Sequence, residues 1–369
     1  MKINVVCHDL SNNCLGRAHV LARLLARTHD VDIVGRMRGD DLWEPLRCDA
    51  SADSAVPLRV LPRGVGLRRA LAALDGDLVY AVKPKAGSLG LGLLARARSG
   101  IPLIADIDDW EMAFFLENPR WLLRNALEVW NPNNLYTTWA MERMSGRADA
   151  ITVSTTFLQR RFGGTIIPHA RSAEMFRPTA GGDARLRGDL GLAGKHVLLF
   201  VGSLRPHKGV GDVIAALDAL SDPSVAFLVV GPGEKLPDRP YLRVIGPQPF
   251  STLPRFLALA DVVVLAQRRN RIGAAQLPAK VFDAMAMARP VIATRVSDLP
   301  EVLEGCGVIV EPNSIVELAQ AIARLVANPE ERARLGSRAR QRFIDRFSDD
   351  VVAPALESVV DEAMALAGR

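Results

Sequence analysis

Aromatic residues make up only 5% of this 369-residue sequence, and it holds just four cysteines. Cys7, Cys14, Cys48 and Cys306 form no CxxC pair and no Cys/His cluster. Neither a zinc site nor a disulfide framework is therefore suggested, and the thiols read as reduced and structural. No apolar run approaches the roughly 18–20 residues that span a bilayer. The opening MKINVVCHDL lacks the longer apolar core of a secretory signal. These absences predict a cytoplasmic protein, at most peripheral at the inner face of a membrane. Dense Lys/Arg blocks are also missing. The 46 basic and 41 acidic residues leave a net charge of +5 spread along the chain, so nucleic acid is not expected as a partner. No GxGxxG opens a first strand-helix unit, and LGLGLL lacks the third glycine, which disfavours dinucleotide oxidoreduction.

The sequence is 49% hydrophobic and 24% charged, enough for two globular domains. Short β-branched runs alternate with helical patterns, the signature of α/β domains with parallel sheets covered on both faces. In the first half the strands are predicted at 3–7, 31–34, 58–61, 78–82, 102–105 and 150–154. In the second half they are predicted at 197–201, 226–230, 242–245, 261–265, 290–294 and 308–310. Pro168, Pro178 and the Gly181–Gly182 pair interrupt the pattern. The expected organisation is a Rossmann-like domain over 1–167, a linker over 168–182, a second Rossmann-like domain over 183–347 and a terminal helix over 348–369. Two such domains would face each other across a cleft, with ligands outside the carboxyl ends of the strands.

One such strand end reads VLLFVGSLRPHKGVGDVIAAL. A buried strand leads to Gly202 and Ser203, then Arg205, His207 and Lys208, then a helix with apolar residues at 210, 213, 214 and 217. A glycine turn before a helix N-terminus presents backbone N–H groups and a positive dipole end to an anion, and Arg205 and Lys208 add charge. His207 reads as a bystander. Farther on, in QLPAKVFDAMAMARPVIAT, Pro278 starts a helix with Lys280 and Asp283 in its first turns. A carboxylate there suits two vicinal hydroxyls, or serves equally as a helix-dipole partner.

The ordered series VGSLRPHKG, VVGPGE, FLALADVVVLAQ, FDAMAMARPVIAT and GVIVEPNSIVELAQAIARL resembles glycosyltransferase family 4, the retaining nucleotide-sugar enzymes of the GT-B fold. The likeness is looser in the first half, at SNNCLGRAHVLARLLA, ITVST and IIPHARSAEMFRP. The resemblance implies a donor on the second domain and an acceptor on the first, with the terminal helix crossing back to the first. It also implies that Arg205 and Lys208 bind a donor diphosphate, that Asp283 binds the ribose, and that Gly16 lets the backbone approach the phosphates. A turn glycine is the competing reading of Gly16.

Departures from the family pattern are equally specific. Where many members carry a glutamate eight residues before the ribose ligand, this chain has Ala275. The sugar contact would then come from backbone around Gln276 and Leu277, or from Lys280. Asp108 stands where members often place a histidine, and Asp109 follows it. Either is a candidate to orient or deprotonate the acceptor, with a solvated helix cap as the plain alternative. Lys83 and Lys85 follow another strand and are candidates to receive an anionic acceptor, with a plain basic surface loop as the equal alternative. Ala288 replaces a usual glycine, which calls for slightly different packing. Asp106-Ile107-Asp108 matches the DxD metal motif of another fold only superficially, so no metal is expected. His169 reads as structural. Trp121 and Trp130 lie on an apparent amphipathic helix, for which core or domain packing is preferred over membrane contact.

The resemblance thus implies sugar transfer from a UDP- or GDP-type donor to a glycan, glycolipid or small-molecule acceptor, without a resident cofactor. A catalytically silent nucleotide-sugar binder and a nucleotide-sugar 2-epimerase are the alternatives.

Overall fold

A computed structural model describes residues 1–47, 56–179, 183–233 and 235–367. Cys48 and the Gly181–Gly182 pair lie outside the described residues. The chain divides into two compact units, Met1–His169 with Asp350–Arg369, and Ala170–Asp349.

The first unit is built on β1 (Lys2–Cys7), β2 (Asp30–Arg36), β3 (Leu58–Leu61), β4 (Leu78–Val82), β5 (Leu103–Ile107), β6 (Ala150–Val153) and β7 (Thr165–Ile166). All are parallel, in the order β3-β2-β1-β4-β5-β6-β7. The order reverses between β1 and β4, where open α/β sheets leave a crevice for ligands. β4 reads LVYAV with every residue buried, as a central parallel strand must be when helices cover both faces. The helix Asp349–Ala367 belongs to this unit from Asp350 onward. It buries Val352, Leu356, Val359 and Val360. Arg27 pairs with Asp350 at 2.7 Å, and Glu357 accepts from Thr28 and meets His29 at 2.7 and 2.8 Å.

The second unit holds β8 (His196–Val201), β9 (Val225–Val230), β10 (Leu242–Ile245), β11 (Val262–Leu265), β12 (Val291–Thr294) and β13 (Val308–Val310), all parallel in the order β10-β9-β8-β11-β12-β13. Its reversal falls between β8 and β11. Alternation along β8 divides the core. Val197 and Leu199 join Phe282 and Phe343 on one face, while Leu198 and Phe200 join Val213, Ile214 and Ile322 on the other. Phe176 is fully buried in the first of these clusters, and Arg340 donates to the carbonyls of Ala173 and Phe176. The stretch read as a linker is thus packed onto this unit through Phe176.

Three local expectations are corrected. β5 runs two residues farther than predicted, which carries Asp106 into the strand. Ala288 adopts φ +52°, the left-handed region that favours glycine, so the replacement strains the backbone and is more than a packing change. Trp121, on the helix Pro119–Leu127 whose buried side is taken by Asn125, and Trp130, in the turn that follows, are exposed and not packed in a core.

Candidate functional site

In the second unit, β8 ends on Gly202 at φ +122°, where a Cβ would come within 2.3 Å of Lys280 Nζ. The neighbouring strand end turns on Gly231 at φ +141°, against the Gly202 carbonyl. Gly209, at φ +68°, leaves no room for a Cβ beside the Ala266 carbonyl, 1.8 Å away. Glycine at these positions lets the loop 202–209 press against the end of β11 before the helix Val210–Leu220 begins. His207 is buried, and its carbonyl accepts from the Arg268 amide at 2.9 Å.

Arg205 is exposed and Lys208 half-buried, and Lys208 Nζ donates to Gln276 Oε1. Lys280 opens the helix Lys280–Ala286 and lies with its ammonium 4.3 Å from the Phe200 ring centroid. Burial, and then the Lys208 charge, hold the Lys280 amine well below the ordinary lysine value, with Asp283 pulling the other way. Asp283 is buried and accepts from Arg171 Nε at 2.5 Å. Burial raises its carboxyl above the usual aspartate value, against the pull of Arg171. Ser203 joins loop and strand end, its carbonyl accepting from Arg205 N at 3.1 Å.

One of the expected sugar contacts is corrected. The Leu277 side chain is buried in the core. The Gln276 amide donates to Gly273 O at 3.3 Å, inside the turn, so it does not present the group expected of it. Ala275 is buried at the end of the short helix Arg271–Ala275. Two residues not singled out from the sequence complete this edge. Arg171 holds Asp283 from 112 positions away. Gln267, buried just after β11, donates to the Gly273 and Gln276 carbonyls at 2.7 Å each and thereby fixes the segment that carries Lys208's partner.

In the first unit, the loop after β1 is organised by Asp9, which accepts from Ser11 N, Arg38 N and Asn12 Nδ2 at 3.0, 3.1 and 2.7 Å. Cys7 and Cys14 lie with their sulfurs 3.2 Å apart, both buried and free. Gly16 lies in the helix Cys14–Leu25, where an added Cβ would meet the Trp43 ring at 2.9 Å. The space that this glycine leaves is filled by indole.

The ends of β4 and β5 carry a cluster of buried charge. Arg17 binds Asp106 through two bonds of 2.8 and 3.1 Å, and Thr152 donates to the same carboxylate at 2.8 Å. Lys83, at φ +67°, reaches Asp108 at 2.9 Å, Asp109 at 2.6 Å and Glu111 at 2.9 Å. Lys85 reaches Glu111 at 2.7 Å. The surface-loop alternative for Lys83 and Lys85 is therefore corrected, because both are buried and matched to carboxylates of this unit. Burial opposes the charge on Lys83, yet its three carboxylates raise it well above the lysine value. Glu111 is likewise disfavoured by burial but held low by Lys83 and Lys85. At Asp108 burial wins over Lys83 and lifts the carboxyl to about 7, so this group takes up its proton as pH falls through neutrality.

Two family models match this architecture in tandem. The description "Glycosyl transferase 4-like domain" fits residues 17–173, and "Glycosyl transferases group 1" fits residues 195–328. The alpha-D-kanosaminyltransferase of Streptomyces kanamyceticus is 28% identical over 193 residues, 48% of this chain and 49% of that one. The GDP-mannose-dependent alpha-(1-6)-phosphatidylinositol monomannoside mannosyltransferase of Mycolicibacterium smegmatis is 27% identical over 238 residues, covering 56% and 61%. The chain thus spans about half to three-fifths of the length of these two relatives. The MMP alpha-(1->4)-mannosyltransferase of Mycolicibacterium hassiacum aligns over more, with 28% identity across 340 residues, 82% of this chain and 76% of that one. Among solved structures, Anabaena Alr3699/HepE, determined with UDP and glucose, matches with a TM-score of 0.73 over 98% of this chain and 99% of that one at 18% identity. With both family domains present in order on two parallel α/β sheets, the chain belongs to glycosyltransferase family 4 of the GT-B fold.

Proposed function

We propose that this protein transfers a sugar, with retention of configuration, from a nucleoside diphosphate donor of UDP or GDP type to a glycan, glycolipid or small-molecule acceptor. In this reading the second unit holds the donor and the first receives the acceptor. The carrying observation is the convergence of Lys208, Lys280 and the glycine loop 202–209 at the carboxyl edge of β8. A buried lysine with a second cation nearby is costly to charge on its own and well matched to a phosphate. As the sugar bond breaks, charge grows on the leaving diphosphate. Arg205, Lys208, Lys280 and the helix N–H groups supply the stabilisation, so no metal is invoked. Asp283, oriented by Arg171, is assigned to the ribose. Asp108 and Asp109 are assigned to the acceptor side. A UDP-glucose-bound fold neighbour and a GDP-mannose-dependent relative support these donor types. Work in the cytoplasm with peripheral contact at the inner membrane face completes the reading. Among the described residues, no helix is long and apolar enough to cross a membrane.

Ala275 favours a second reading, a silent nucleotide-sugar binder. Thermal shifts with UDP, GDP, ADP, TDP and their sugar conjugates, on wild type and Lys208→Ala, test the donor site. A ligand at 100 times its Kd adds about 2.7 kcal/mol, so one nucleotide family should stand out in the wild type and fade in the variant. Absence of any shift overturns the donor assignment. Slow hydrolysis of the bound donor without acceptor separates the enzyme from the silent binder.

A further inference from the structure

Cys7 is the last residue of β1 and Cys14 the first of the helix Cys14–Leu25, so the chain leaves the sheet at one cysteine and resumes regular structure at the other. Both thiols turn inward on the segment between them. Cys14 Sγ donates to the Asp9 carbonyl at 2.8 Å, Cys7 Sγ donates to the same oxygen at 3.4 Å, and the sulfurs meet at 3.2 Å. One carbonyl oxygen thus gathers both thiols. A disulfide holds its sulfurs about 2.05 Å apart, so this pair stands about 1 Å short of a bond.

A buried cysteine commonly serves as a small apolar filler, but the surroundings of this pair are polar. Burial, and then Cys7, raise the Cys14 thiol, while His8 draws it back down. His8 Nδ1 is itself buried and, among the described residues, has no hydrogen-bond partner. An imidazole beside a thiol can take up its proton and leave the thiolate, which is the reactive form. The cover over the pair is thin. Ser11 and Asn12 are half-buried and Asn13 is exposed, so a local opening of this loop admits a molecule as small as a peroxide.

We infer that Cys7 and Cys14 form a site of reversible oxidation, closing to a disulfide when a hydroperoxide reaches them. The Cys14 sulfur passes its proton to the His8 ring and attacks one peroxide oxygen. The O–O bond breaks, the sulfur becomes a sulfenic acid, and the leaving oxygen takes the proton back from His8 and departs as water or alcohol. The Cys7 sulfur then displaces the sulfenic hydroxyl, which leaves as water with the Cys7 proton. Two electrons have passed from the thiols to the peroxide. The disulfide carries no S–H, so the Asp9 carbonyl loses both thiol donors. The Asp9 carboxylate meanwhile ties together Ser11 N, Asn12 Nδ2 and Arg38 N. Oxidation thereby loosens the loop after β1, beside the reversal of strand order where ligands are expected. In a reducing compartment the dithiol is the resting form and the disulfide is transient. The inference is independent of the donor and acceptor assignments.

The tryptic peptide 3–17 carries both cysteines and no other, which makes the test direct. Folded protein is treated with hydrogen peroxide, then unfolded, alkylated and digested for mass spectrometry. Peptide 3–17 is expected to lose two hydrogens and escape alkylation at least tenfold faster than the buried Cys306 thiol is consumed, and to regain both labels after dithiothreitol. Amide exchange at Ser11 and Cys14 is expected to rise at least threefold in the oxidised protein. Cys7→Ser is expected to stop at a Cys14 sulfenic acid, which dimedone captures, and His8→Gln to slow closure at least tenfold. Oxidation of peptide 3–17 no faster than Cys306, or only after unfolding, overturns the inference and leaves two packing thiols. Sulfinic acid on one cysteine without loss of two hydrogens overturns it as well. Closure of His8→Gln at the wild-type rate overturns the proton transfer, and unchanged amide exchange overturns the effect on the loop.

Discussion

At the carboxyl edge of the first unit's sheet, Lys83 touches three carboxylates, whereas at the corresponding edge of the second, Lys280 faces a phenyl ring and a glycine. Both edges adjoin a reversal of strand order, so topology offers both as ligand sites. Their charge differs. In the first unit Arg17, Lys83 and Lys85 are matched by Asp106, Asp109 and Glu111, with the raised carboxyl of Asp108 beside them. In the second, Asp283 is the carboxylate beside Lys280 and is already bound to Arg171. A basic residue at a strand end is thus no guide to anion binding until its partners are known. The first edge is internally neutralised and suits a polar, hydroxyl-rich ligand. The second retains positive charge that an arriving diphosphate would offset.

The largest expected effect comes from breaking the neutralised cluster. Lys83→Met removes the cation shared by Asp108, Asp109 and Glu111 and leaves Lys85 only on Glu111, and loss of one partner of a buried ion pair commonly costs about 3–5 kcal/mol. Urea unfolding should show a loss of that order, and a change below about 1 kcal/mol would mean that the cluster is far wetter than its burial indicates. Next comes the uncompensated edge. Arg205→Ala or Lys208→Ala should leave unfolding nearly unchanged but reduce turnover at least tenfold, since one such donor is typically worth roughly 10²–10³ in rate. Near-wild-type turnover in both variants would remove the diphosphate role.

The smallest effect sharpens the comparison through pH. Asp108 has its folded carboxyl raised to about 7, above the ordinary 3.8. The folded chain therefore binds this proton where the unfolded chain has released it. The resulting stabilisation is complete below about 3.8 and is lost as pH rises through about 7. Asp108→Asn should flatten this slope, so the variant gains on wild type between pH 5 and pH 8 in unfolding experiments. Parallel profiles for the two proteins would show that another group carries the proton.

Much of the fold was legible because buried parallel strands are continuous apolar runs. β3, β4, β10 and β13 appear at the predicted bounds. β7 escaped notice because two residues between a glycine pair and Pro168 carry no periodicity. The end of β5 was misplaced because Asp106 looks like a loop residue until Arg17, 89 positions away, is seen to bind it. At the site, the loop 202–209 was readable from its glycines and basic residues. Arg171 and Gln267 were not, since each acts on a segment distant in sequence or through backbone carbonyls that have no side-chain signature. At Gly16 the sequence does not show that Trp43 fills the space beside the glycine.

The sequence by itself determined the alternation of strand and helix, the two-sheet architecture and the position of the basic glycine loop, because periodicity and backbone freedom are properties of neighbouring residues. Only the tertiary structure decided which charges are compensated and which apolar residues face out. Lys83 and Lys280 each follow a proline by one or two positions or lie next to one, yet one is enclosed by carboxylates and the other lies against Phe200. The physical reason is that pairing and burial depend on side chains brought together from distant strands, and the local sequence carries no record of those partners.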